Sequence, residues 1–267
     1  MSSFALKITA IVLMTLDHFA TIAGQLGIIA LIPGAGLDSA WALNLSYGIL
    51  LALNGLGRAA FPLFAFMLAE GCARTRSMPR YIGRLALFAL ISEPVYYFTL
   101  GGAVYGADLG GFIANIAGLN FNNIFFTLAL AALAIYAWQR LTPRGRGGAA
   151  LGLLAFALAA FAAGYFKTDY GAMGVILIFA LYLAGKSRKL QCAVIVLRAL
   201  VLYFFSGFGY GWYVIGPWQF ISFFGACLSL IPVLLSSGRR GRPLKWAFYI
   251  YYPAHLAVLG LIAALLH

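Results

Sequence analysis

Apolar residues in this chain come in long runs with no polar face, separated by short polar or basic connections. A helix needs about 20 residues to cross roughly 30 Å of hydrocarbon, and runs of that order recur from one end of the sequence to the other. The expected spans are Leu6–Leu31, Trp41–Ala73, Tyr81–Leu100, Phe121–Trp138, Ala149–Tyr165, Gly171–Ala184, Leu190–Phe208, Trp212–Leu235 and Trp246–Leu266. The ten-residue alternation of an outer-membrane barrel is absent. The pattern therefore predicts an all-α, polytopic integral membrane protein of about nine transmembrane helices, forming a single domain over 1–267. Pro62 falls inside the second run and predicts a kink, because a mid-helix proline removes a backbone hydrogen bond. The first run carries Asp17 and His18 in its middle and continues past them, which reads as a permanent helix rather than a cleaved leader.

Composition sharpens this picture. With 64% hydrophobic residues, 9% charged residues and a mean hydropathy of +0.96, a water-soluble fold is excluded. The net charge of +12 does not point to nucleic acid, because the Lys and Arg residues cluster in every second connection. Arg74, Arg76, Arg80 and Arg84 form one cluster, and Arg140, Arg144 and Arg146 the next. Lys186, Arg188 and Lys189 make a third, and Arg239, Arg240, Arg242 and Lys245 a fourth. By the positive-inside bias these connections are expected on the cytoplasmic side of the membrane, with the amino terminus inside and His267 outside. Membrane lipid is the first expected partner. Cys72, Cys192 and Cys227 have neither metal-ligand spacing nor an even count, so no metal site is expected and packing is their role.

Charges inside a bilayer are costly unless paired or wetted, which makes the ionisable residues within the spans the candidates for function. Counted from the expected cytoplasmic ends, Asp17, His18, Glu93, Arg198 and His255 share a depth near mid-bilayer, and Arg58 falls in the same band. Asp169 is marked out by its position in a loop. Adjacent helical residues point about 100° apart, so Asp17 and His18 must each find partners on other helices. A carboxylate, a histidine and an arginine together are parts for acid/base transfer chemistry, and equally for a polar network that locks helix packing. For His255, the neighbouring Tyr249, Tyr251 and Tyr252 are candidate hydrogen-bond partners. Gly185-Lys186-Ser187 lacks the upstream glycine of a phosphate loop, and no nucleophile elbow or zinc-binding helix is present. The basic connections set orientation, and the same residues suit acidic lipid or a phosphorylated ligand.

Five stretches carry a resemblance: Leu13-Met14-Thr15-Leu16-Asp17-His18, Gly57-Arg58-Ala59-Ala60-Phe61-Pro62-Leu63-Phe64, Asn123-Ile124-Phe125-Phe126, Tyr170-Gly171 with Gly174, and His255-Leu256-Ala257-Val258-Leu259. Together they resemble the TraX family of membrane proteins, associated with amino-terminal acetylation of conjugative pilin and related to the wider class of transmembrane acyltransferases. The resemblance spans most of the chain. It implies transfer of an acetyl group from cytoplasmic acetyl-CoA to an acceptor amine or hydroxyl, such as the amino terminus of a pilin or an envelope glycan. Asp17, His18, Arg58, Asn123 and His255 match the family's polar positions; Glu93, Arg198 and Asp169 are added from depth and loop position. Under this reading His18 is the general base, since a neutral imidazole accepts a proton near neutral pH. Asp17 pairs with Arg58 or another cation, or stabilises protonated His18 through the local field, and Arg58 or His255 holds the developing oxyanion; the competing assignment makes His255 the base and His18 a structural hydrogen-bonding residue. The CoA phosphates are expected near some of Arg74, Arg76, Arg80, Arg140, Arg144, Arg239, Arg240 and Arg242. A non-enzymatic transporter or lipid-binding assembly factor is the alternative from another class.

Overall fold

The computed structural model describes residues 1–25, 40–101, 108–205, 216–239 and 245–266, and all regular structure among them is helical. Arg240 and Arg242 lie outside the described residues. Met1–Leu63, Phe98–Gly106 and Ile195–His267 form one compact unit, and Phe64–Tyr97 with Ala107–Val194 form a second.

In the first unit, α1 (Ser3–Gln25) packs on α2 (Ala40–Gly57) and on α12 (Lys245–Leu266), while α10 (Pro217–Cys227) packs on α2. Small residues set the α2 contacts, as expected where helices associate by close packing in lipid. A Cβ on Gly57 would lie 2.8 Å from Asp17 Cα, so α1 and α2 approach closely beside the acidic residue. The second expected span is divided. α2 ends at Gly57, α3 (Ala60–Arg74) follows, and Arg58 stands in the break. Pro62 explains the position, because it has no N–H to return to the Arg58 carbonyl four residues earlier. A π-helical turn at Val201–Phe205, following α9 (Arg188–Leu200), packs against α10. Pro217 at the first turn and the Gln219 side chain, which accepts from Gly216 N at 2.9 Å, define the start of α10. The five-residue α11 (Leu230–Leu234) leads to a stretch joined to the amino terminus: Ser3 N donates to the Arg239 carbonyl at 2.8 Å and Ser237 N to the Met1 carbonyl at 2.9 Å.

In the second unit, α4 (Met78–Tyr96) packs on α6 (Ile124–Leu141), and α6, α7 (Arg146–Tyr165) and α8 (Gly171–Leu183) pack on one another. Gly145, at φ +83°, makes the turn between α6 and α7 that a side chain would strain. The α6–α7–α8 core is apolar, with Trp138 edge-on to Phe179 and Phe156 stacked on it at 4.3 Å. The nine-residue α5 (Leu109–Ala117) has no buried residue and is capped by Asp108, whose Oδ1 accepts from Gly111 N at 2.6 Å.

Six helical stretches are long and apolar enough to cross a membrane: Ser3–Gly24, Asn44–Arg74, Ile124–Arg144, Arg146–Tyr165, Pro217–Leu234 and Trp246–Leu265. Their outer faces carry exposed Val12, Leu133, Leu154, Phe161 and Leu261, as helices in contact with hydrocarbon should. The expected count of nine is not reached by this measure among the described residues. The other three expected spans are helical over their described residues but fall short for physical reasons. α8 has 13 residues, which at about 1.5 Å per residue is well under the hydrocarbon thickness. At the third, α4 contains Arg80, Arg84 and Glu93, with Pro94 near its end, and at the seventh, α9 contains Arg188, Lys189 and Arg198.

Candidate active site

His18 and His255 meet where α1 and α12 pack. His18 Nδ1 lies 2.7 Å from His255 Nε2, and the rings are nearly coplanar, with centroids 5.0 Å apart and 8° between planes. That separation is the N···N distance plus two ring radii, so the imidazoles lie side by side, joined through an in-plane hydrogen bond. His255 Nδ1 lies 2.9 Å from the Tyr251 carbonyl oxygen.

These two contacts fix the tautomers of the neutral pair. A carbonyl only accepts, so His255 Nδ1 carries the proton and donates to Tyr251. His255 Nε2 then has a lone pair and accepts from His18 Nδ1–H. The remaining nitrogen of His18, Nε2, is left as a basic lone pair. The opposite arrangement would set the Nδ1 lone pair of His255 against the carbonyl oxygen. His255 is buried at 7% exposure, whereas His18 is half-buried.

One residue before His18, Asp17 Oδ1 accepts from Arg58 Nη2 at 2.7 Å. The Arg58 guanidinium also donates to Asn54, at 3.2 Å to the side-chain oxygen and 3.4 Å to the carbonyl, and interacts with Tyr203 in the π-helical turn. It lies 5.5 Å from the centre of the Trp218 ring, a cation–π contact. Asp17 and Arg58 side chains keep 16% and 21% exposure. Asp17 thus holds a cation on α2's end while His18, turned by one helical step, faces α12. Chemically, the arrangement places a histidine with an oriented nitrogen lone pair next in sequence to the carboxylate that anchors a guanidinium.

Residues 2–263 match the family model described as TraX protein. The chain belongs to the TraX family. This TraX-family chain is also 30% identical over 264 residues to a Dichelobacter nodosus protein named "Probable fimbrial assembly protein FimC, serogroup H1", covering 97% of this chain and 94% of that one. No solved structure matches it.

The other residues singled out in the TraX-family sequence are placed differently. Arg198 is buried in the first unit, its guanidinium 5.1 Å from the Phe61 ring centre. Glu93 and Asn123 meet in the second unit, at the start of α6. Glu93 accepts from Asn122 N at 2.9 Å, Asn123 N at 3.2 Å and Asn123 Nδ2 at 2.6 Å, while Asn123 Oδ1 caps the helix by accepting from Phe125 N at 3.0 Å. A carboxylate and a cap at a helix amino terminus satisfy its orphan N–H groups and dipole. The Asp169 carbonyl accepts from Thr127 Oγ1. Among the basic residues, Arg76, Arg80, Arg140, Arg144 and Arg239 are exposed; Arg74 is exposed too but paired with Glu70. Glu70 also accepts from Arg188 at 2.8 Å, a cluster that sequence reading missed although Glu70 and Arg74 stand one helical turn apart. Tyr203, Asn54 and Trp218 were missed as well, and nothing in their spacing marks them.

Proposed function

We propose that this chain is a membrane-embedded acyltransferase that moves acetyl from cytoplasmic acetyl-CoA to an amine or hydroxyl acceptor, either the amino terminus of a pilin or an envelope glycan. The observation that carries this reading is the orientation of His18 by His255, which leaves Nε2 as the available base. Membership of the TraX family and the fimbrial name of the relative support a pilus-related acceptor.

The donor supplies a thioester carbonyl; the chain supplies the rest. His18 Nε2 takes the acceptor proton as the acceptor atom bonds to the carbonyl carbon. The charge then on His18 strengthens its Nδ1–H bond to His255, a charge-assisted contact. His18 returns the proton to the departing thiolate, so a C–N or C–O bond replaces the C–S bond and no net proton is released by the relay. Arg58, held by Asp17 and Asn54, stabilises negative charge on the thioester oxygen. His255 has both nitrogens engaged and acts by fixing the His18 tautomer. Exposed Arg76, Arg80, Arg140, Arg144 and Arg239 offer guanidinium groups suited to CoA phosphates.

Purified protein in nanodiscs, given labelled acetyl-CoA with pilin or envelope glycan, is expected to bind the donor and label one acceptor. Absence of both calorimetric binding and transfer would leave the assembly-factor reading in its place.

The topology has its own test. Thr15 contacts Tyr251 and His18 contacts His255, so residue numbers rise together along both helices and α1 runs parallel to α12. If these are the first and last crossings, the total is odd, and the six long candidates need at least one shorter companion. The chain ends then lie on opposite faces, with the amino terminus cytoplasmic. In a cysteine-free background, Ser2→Cys and Ser237→Cys are expected to label from the cytoplasmic side and His267→Cys from the other. Labelling of all three from one face would defeat this topology.

A further inference from the structure

We infer that Tyr251 and Thr15 are positioning residues that hold the two histidines in register, a role that rests on the acyl-transfer reading only for its effect on rate. The Thr15 hydroxyl donates to the Ile11 carbonyl at 2.9 Å. Having a single proton, it must accept at its 2.8 Å contact with the Tyr251 hydroxyl, and Tyr251 is the donor. Tyr251 therefore acts at both ends of the relay. Its side chain ties α12 to α1, and its carbonyl fixes the proton of His255 within α12.

The spacing makes this a two-point clamp. Thr15 and His18 are three residues apart on α1, and Tyr251 and His255 four apart on α12, so each pair shares a helix face. A single cross-helix hydrogen bond leaves the helices free to rotate about it; two, one turn apart, do not. The relay needs that restraint, because a hydrogen bond weakens steeply as its angle closes. The aromatic surroundings follow the same placement. The Tyr251 ring lies 9° from parallel to the His255 ring, and Tyr252 stands edge-on to both histidines, 6.1 Å from His18 and 5.7 Å from His255.

The test uses the full chain in nanodiscs with ¹⁵N-labelled histidine, a tractable probe because the sequence has three histidines. In the unaltered protein, His18 and His255 should each carry the proton on Nδ1, with a nitrogen–nitrogen coupling across their shared hydrogen bond. Tyr251→Phe keeps the ring and the carbonyl but removes the donor, and Thr15→Val removes the acceptor at similar shape. Each is expected to abolish the coupling and to lower kcat about tenfold with KM for both substrates unchanged, the scale of one hydrogen bond. Thr15→Ser should retain both signals, and Thr15→Val decides the matter if Tyr251→Phe fails to insert. Wild-type coupling in Tyr251→Phe and Thr15→Val would overturn the inference. Coupling that responds as expected in a protein without transfer activity would uphold the clamp and defeat the acyltransferase reading instead.

Discussion

His18→Gln is expected to lower acetyl transfer by about 10²–10⁴-fold while donor binding persists, the range for loss of a general base. The comparison with His255 makes the result specific. In His255→Gln the amide oxygen is able to accept from His18 Nδ1–H while the amide N–H₂ donates to the Tyr251 carbonyl, so the base keeps its tautomer and most of the rate survives. His255→Leu removes the acceptor, frees the His18 tautomer and lowers the rate further than the Gln variant. If His255 were the base, His255→Gln would be the severe substitution and His18→Gln the mild one. Initial rates with saturating donor, alongside calorimetric binding, separate these outcomes.

Arg58→Ala should show the second large effect, on stability and turnover together. Removing one partner of a buried ion pair costs about 3–5 kcal/mol, and the residual exposure of Asp17 and Arg58 brings the expected figure to about 2–4 kcal/mol. Asp17→Asn should cost less, because it leaves a neutral amide facing the guanidinium rather than an unpaired charge. The double variant Asp17→Asn/Arg58→Ala is expected to recover part of the lost stability, with a coupling of about 0.5–3 kcal/mol between the two sites. Transfer should not recover with it, since the guanidinium proposed to hold charge on the thioester oxygen is still missing. Thermal unfolding in detergent gives the first quantity and steady-state rates the second. Recovery of both in the double variant would assign the pair to packing alone.

Much of this was legible along the chain. Asp17, His18, Arg58 and His255 stood out because ionisable residues at bilayer depth are rare enough to count. The structure joins them as two adjacent contacts, one ion pair and one imidazole pair. Pro62 marked a weak point in the second span, but the break appears four residues earlier, at the carbonyl a proline cannot serve. Glu93 shared the same depth, yet depth gives no direction around a helix, and its carboxylate turns to the start of α6. Tyr251 was visible as a neighbour of His255; that its carbonyl bonds the ring and its hydroxyl bonds Thr15 required coordinates.

The sequence by itself determined a helical membrane protein, the TraX membership, and the polar residues that such an environment must partner. Membership rests on motif residues; the other two are properties of composition and local periodicity, which the solvent reads one segment at a time. Tertiary structure alone decided which histidine keeps a basic nitrogen. That outcome depends on the direction of two hydrogen bonds, one between histidines 237 residues apart in sequence and one within α12 to a carbonyl that can only accept.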